Sequence, residues 1–196
     1  MRTKIAILAS IGLILLLLAI TGCSGEKEVS PVQVAEKYIN EFFSFNSDDR
    51  FTTMLEGIDK VTEEYLTEEE NPPAVISFEY EDLDKEHRSY DKVYNLCTDE
   101  CREASIMNRL PQKYDKAVFD DGFKATVESG EVQSSESKSD SFYYTVVISL
   151  EGGAGSKTLI AKGQLELVKD DKSGLYLIKS NSISGIVDDD GDLWPR

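Results

Sequence analysis

Apolar residues run almost unbroken from Ile5 to Ile20, interrupted only by Ser10 and Gly12. As a helix, these ~16 residues reach about 24 Å at 1.5 Å per residue. A permanent spanning helix needs about 20 apolar residues. From residue 30 the apolar positions switch to helical spacing. Val34, Ala35, Tyr38, Ile39, Phe42 and Phe43 build one wide stripe and predict a helix over 30–45. Ser30 can cap it, Pro31 fits its first turn, and Gln33 completes a capping box. Asn46-Ser47-Asp48-Asp49 punctuates it. A second helical piece carries Phe51, Met54, Leu55 and Ile58, and a third carries Val61, Tyr65 and Leu66. The run Glu68-Glu69-Glu70-Asn71-Pro72-Pro73 ends the helical stretch.

Residues 74–121 follow no single period. Val75 to Tyr80 reads as a strand, Asp82 to Asp91 as a charged loop or exposed helix, and Glu100 to Leu110 as a helix stopping near Pro111. From residue 122 the period becomes two. Phe123 to Val127 starts a strand, and 134–140 is a polar turn. Phe142, Tyr144, Val146, Ile148 and Leu150 share one face of a long strand, while Tyr143, Thr145, Val147 and Ser149 take the other. Leu159, Ala161, Gly163, Leu165 and Leu167 alternate again. Gly152 to Ser156 and Lys169 to Gly174 are turns, and Leu175 to Ile183 is the last strand.

Charge narrows the function classes. The chain carries −16, with 37 acidic against 21 basic residues. Residues 1–22 hold Arg2 and Lys4 and no acid, so the remaining 174 residues carry −18. Such a surface argues against nucleic acid, because phosphate contacts need clustered Lys and Arg. It also argues against adhesion to anionic lipid through protein charge.

Catalytic equipment is sparse. His87 is the single histidine and sits in the charged run Asp84-Lys85-Glu86-His87-Arg88, which reads as solvated. No spacing singles out an acid/base pair of carboxylates. The glycines of 152–155 lack both the GxGxxG spacing and a P-loop lysine. The tail Asp188-Asp189-Asp190-Gly191-Asp192 ends at Arg196, too soon for an EF-hand loop, and reads as a solvated acidic tail. No catalytic residue, metal or cofactor is expected.

The first 23 residues carry a resemblance. Arg2 and Lys4 precede the apolar run, and Ile20-Thr21-Gly22-Cys23 closes it. The arrangement resembles a bacterial lipoprotein signal peptide with its lipobox, and the short apolar run suits a signal sequence. The resemblance implies cleavage before Cys23, diacylglyceryl attachment to its sulfur, and a domain held at the extracytoplasmic face of the cell membrane. Two acyl chains anchor durably where one does not. Six residues, Ser24 to Val29, form the tether, about 20 Å when extended.

With Cys23 lipidated, Cys97 and Cys101 remain as an even pair in an oxidising location. A disulfide between them is expected if the backbone turns there; two free thiols or a metal pair are the alternatives. One histidine is too few for a closed zinc site.

The helix Val34 to Phe43, the helical stretch ending at Tyr65-Leu66 and the terminal block of long strands resemble the NTF2-like, cystatin-like architecture. The closing pattern Gly163 to Val168, a polar turn, then Leu175 to Lys179 is similar to that family's last two strands. The resemblance implies an α+β fold, with N-terminal helices packed in a curved antiparallel sheet that forms a cone. The expected organisation is a signal peptide over 1–22, a lipidated tether over 23–29, a single α+β domain over 30–187 and an acidic tail over 188–196. The expected function is a non-catalytic accessory domain that binds an envelope protein. A small-molecule binder using the cone's mouth is the alternative, and an enzyme of the same fold stands third.

Overall fold

Ser30 sits in extended backbone, and its side chain accepts from Gln33 N while Gln33 Oε1 accepts from Ser30 N, so both halves of the capping box are made. The helix it starts, α1 (Pro31–Phe43), buries all six stripe residues. Each fully buried aromatic or aliphatic side chain of this kind contributes about 1.5–3 kcal/mol. The computed structural model describes residues 29–45, 50–68, 78–153 and 155–195. The segment expected to be a signal peptide and Cys23 lie outside them.

Five more α-helices follow among the described residues. α2 (Arg50–Glu68) is a single helix where two pieces are expected. Gly57 does not break it, because the cost of about 1 kcal/mol for glycine is outweighed by packing; a Cβ at Gly57 would run into the Glu86 side chain. α3 (Tyr80–Glu86), a 3₁₀ turn (His87–Tyr90) and α4 (Asp91–Tyr94) form one bent helical run. The strand expected over 75–80 is not made in its described part, since Tyr80 opens α3. α5 (Asp99–Met107) starts at Thr98, whose hydroxyl accepts from Cys101 N. α6 (Gln112–Asp120), to which the sequence reading assigns no element, buries Tyr114, Asp115 and Val118.

The strands β1 (Phe123–Ser134), β2 (Ser141–Gly152), β3 (Gly155–Lys169) and β4 (Tyr176–Val187) form an open antiparallel meander in the order β1-β2-β3-β4. The fold is therefore α+β. β2 and β3 pair without interruption from Ser141↔Glu166 to Gly152↔Gly155. The register slips between Val127 and Ser129 in β1, and twice between β3 and β4. Such bulges bend a strand and increase its twist. The inner face carries Phe142, Tyr144, Val146, Ile148, Leu150, Leu159, Ala161, Leu165 and Leu167, all buried, and α1 packs on it.

Both edges of the sheet are partly covered. Phe45, just past α1, exchanges two backbone hydrogen bonds with Ala125 at 2.7 and 2.8 Å. At β4, Ile178 N donates to Leu96 O and accepts at its carbonyl from Thr98 N, so the corner between α4 and α5 pairs with the last strand. The acidic run after β4 is a tight turn rather than a free tail. Asp188 Oδ1 accepts from Asp190 N and Asp192 N, and Leu193 then pairs back with Val187. Trp194 N donates to Ile186 O, and the indole is buried against Tyr114.

Candidate functional site

The outer face of the sheet carries the clearest unpartnered feature. In an antiparallel pair, opposed residues share a face. The register sets Val147 opposite Ile160, Ile160 opposite Val187, and Val187 beside Leu193. These four form one apolar row that crosses three strands and ends on the returning C-terminal segment. Ile160 is 37% exposed and Leu193 is 70% exposed. Their sequence neighbours Leu159, Ile186 and Trp194 point the other way and are buried. Tyr143, also exposed, lies further along β2 on the same outer face.

The inner face is filled. Phe42 and Phe43 stack edge-on at 4.8 Å, Phe43 meets Tyr114 at 5.4 Å, and Tyr114 meets Trp194 at 5.7 Å. The polar tips of this cluster are satisfied. Tyr144 Oη donates to Asn181 Oδ1 at 3.1 Å, Asn181 Nδ2 donates to Tyr38 Oη at 3.4 Å, and Tyr114 Oη donates to Phe43 O at 2.8 Å. Burial pushes the Tyr114, Tyr144 and Tyr38 phenols well above their ordinary range, so they stay protonated.

Two open depressions lie at the ends of the sheet. One, of about 330 Å³, is lined by Pro31, Phe142, Leu167, Val168, Lys169 and Tyr176 among others. The other, of about 300 Å³, lies around Phe119, Phe123 and Gly152.

A buried charged pair lies between the helices. Arg50 Nε and Nη2 donate to the two carboxylate oxygens of Asp115, and Arg50 Nη1 and Nη2 also donate to Glu41 O and Phe42 O. Burial pulls Arg50 down, but the hydrogen bonds and charge of Asp115 outweigh it and hold the guanidinium above its ordinary value. Nearby, Gln112 Nε2 donates to Tyr94 Oη, which donates to Leu110 O. None of these residues lines either depression. The geometry is that of a clamp joining α1, α2 and α6.

His87, expected in a solvated run, is instead buried at 3% exposure. Its place at the end of α3 turns the ring inward, where Nδ1 lies 2.6 Å from Leu83 O. Burial pulls its pKa below the ordinary value, and the ring is held neutral as a donor to that carbonyl. Cys97 lies just before the cap of α5 and Cys101 in its first turn, and both are free, buried thiols in the structure rather than the expected disulfide. Among the described residues no group of three or more His, Cys, Asp and Glu could hold a metal ion. Among the same residues no helix is long and apolar enough to cross a membrane.

The sequence reading missed the outer row, the charged pair and the burial of His87. A weak signal for the row existed, since Val147 and Ile160 are apolar at outward positions of strands that otherwise alternate with polar residues. No family model, no curated protein and no solved structure matches the chain.

Proposed function

We infer that the protein is a membrane-anchored extracytoplasmic lipoprotein, held by lipid on Cys23, whose domain binds a protein of the cell envelope without catalysing a reaction. The domain is of the NTF2-like, cystatin-like kind. α1 seated on the inner face of a bulged antiparallel meander supports that reading. One observation carries the binding role: the inner face is filled with aromatic side chains while an apolar row, Val147-Ile160-Val187-Leu193, is left open on the outer face. A contiguous exposed apolar patch is a usual mark of a protein contact. Val147, Ile160 and Val187 sit on paired strands, so contact there would need little ordering.

A small-molecule ligand is the second reading. The depression beside Pro31 favours it, with Phe142, Leu167 and Tyr176 as apolar walls and Lys169 above the Tyr176 ring. Its volume is at the low end of ligand sites.

The test is made in intact cells. Labelled palmitate should enter the wild-type protein and not Cys23→Ala; equal labelling would end the anchor reading. A photo-crosslinking side chain at Ile160 should give one discrete protein adduct, lost in Leu193→Glu. No adduct from Ile160, with a labelled small molecule retained beside Tyr176, would favour the second reading.

A further inference from the structure

α1 runs the length of the sheet. At its start, Pro31 lines the larger depression with Phe142 at the start of β2, Leu167 near the end of β3 and Tyr176 at the start of β4. Just past its other end, Phe45 pairs with Ala125 near the start of β1. The end of the sheet where α1 starts therefore carries the β1–β2 and β3–β4 turns. Leu167 N donates to Asp140 O at 2.8 Å, so the two turns lie side by side.

That end meets solvent with apolar side chains. Val168 is exposed and lies opposite Leu177 on the outer face, beside the β3–β4 turn. Leu175 is exposed in the turn itself, and its carbonyl accepts from Asp170 N at 2.8 Å. Val29 is exposed two residues before Pro31. Next to Leu175, the Tyr176 ring lies under Lys169 Nζ at 5.6 Å. Tyrosine and lysine, each apolar in the stem and polar at the tip, are at home at headgroup level. Residues 135–140 and 169–175 hold three lysines against four acids, so the charges of the two turns nearly cancel.

We propose that this end of the sheet is a membrane-contact surface, on which Val29, Val168 and Leu175 enter the headgroup–acyl boundary of the bilayer that anchors the chain. The proposal rests on the anchor reading. Six residues, Ser24 to Val29, separate Cys23 from Ser30, so the tether brings the bilayer within about 20 Å of the start of α1. A short tether gives this end a high effective concentration at the bilayer, and a few apolar side chains then suffice for contact. With its charges nearly cancelled, the end needs no anionic lipid. Standing on it, the domain holds its acidic body off the bilayer and lifts the outer row clear. Ile160 is eight residues along β3 from Val168, about 26 Å at 3.3 Å per residue. A protein docking on that row would be met above the headgroups.

The test uses the full chain, recovered from bacterial membranes and reconstituted in phosphatidylcholine vesicles that carry a diazirine on one acyl chain. After illumination, trypsin divides the sheet into separate reporters: peptide 163–169 holds Val168, 173–179 holds Leu175 and 158–162 holds Ile160. Lipid adducts should gather on the first two and be about tenfold rarer on the third, which stands beyond the reach of the acyl chains. Leu175→Glu changes an exposed side chain and should leave the melting temperature unchanged. It should cut the adducts on the unaltered peptide 163–169 about tenfold. Peptide 23–27 reports the anchor separately, by the lipid mass on Cys23. An unmodified Cys23 would end the anchor reading; the apolar run from Ile5 to Ile20 would then hold the same end of the domain, and the adducts would still decide the surface. Adducts spread evenly over the three peptides, adducts gathered on 158–162, no adducts at all, or adducts unchanged in Leu175→Glu would each overturn the proposal, whichever anchor is present.

Discussion

Arg50 and Asp115 stand 65 residues apart and meet through two hydrogen bonds of 2.6 and 2.7 Å, with the Asp115 side chain fully buried. The same guanidinium donates to two carbonyls of the last turn of α1, groups that a helix end leaves without partners. One side chain therefore ties α2 to α6 and closes α1. Removing one partner strands a buried charge. Asp115→Ala should lose about 3–5 kcal/mol of stability. The double variant Arg50→Met/Asp115→Leu should lose less than Asp115→Ala alone, since apolar replacement of both charges is often tolerated. Denaturant titration of the three proteins checks this, and a double variant worse than the single would refute it.

Trp194 and Leu193 are neighbours with opposite environments, the indole buried against Tyr114 and Leu193 in solvent. Trp194→Ala should cost about 3–5 kcal/mol. Leu193→Ala should stay within about 0.5 kcal/mol. Trp194 is the only tryptophan, so its emission reports this directly. It should be blue-shifted and protected from iodide in the folded protein, and lose both properties in denaturant.

His87 is held neutral, with its pKa below the ordinary value because burial disfavours the charged ring, against the pull of Leu83 O, Asp84 and Glu86. In the unfolded chain it takes a proton near pH 6.5. The unfolded state thus binds more protons as pH falls below about 6.5. The stability due to His87 is present above that pH and is lost as pH falls toward the folded-state pKa. Chemical denaturation across pH 7.5 to 5 should show the decline, and His87→Gln should flatten it. An unchanged slope in the variant would assign the decline to other groups.

Gly163 lies opposite Tyr144, and a Cβ there would run into the Tyr144 hydroxyl and the backbone carbonyl of Ser182. Gly163→Ala should destabilise by about 1–3 kcal/mol, the usual range for forced overpacking. Tyr144→Phe should recover little of that loss in the double variant, since the ring carbon Cζ and the Ser182 carbonyl would each still lie 2.5 Å from the added Cβ. Thermal melts of both variants measure it.

The sequence made some parts plain and hid others for physical reasons. α1 was legible because its cap, its proline and its stripe are local. β2 and β3 were legible because each alternates for ten residues or more along one face. Between residues 80 and 120 the helix expected over Glu100 to Leu110 was legible as α5, but α3, α4 and α6 were not, because they are short and α3 buries no side chain while the others bury only a few. His87 reads as solvated beside Asp84 and Arg88, yet the turn after α3 aims its ring inward. Arg50 and Asp115 carry no mutual signal in a chain with 37 acidic residues.

By itself the sequence determined the local elements and the chemistry available: which segments repeat at helical or strand period, a net charge of −16, one histidine and three cysteines. Those follow from neighbours in the chain, where sterics and hydrogen bonding act over a few residues. Only the tertiary structure decided which distant residues meet. Strand register lined up Val147, Ile160 and Val187 on one face, a returning segment added Leu193, and the docking of α6 brought Asp115 to Arg50. Register and helix docking are set by the packing of the whole core, and no short stretch of sequence contains that.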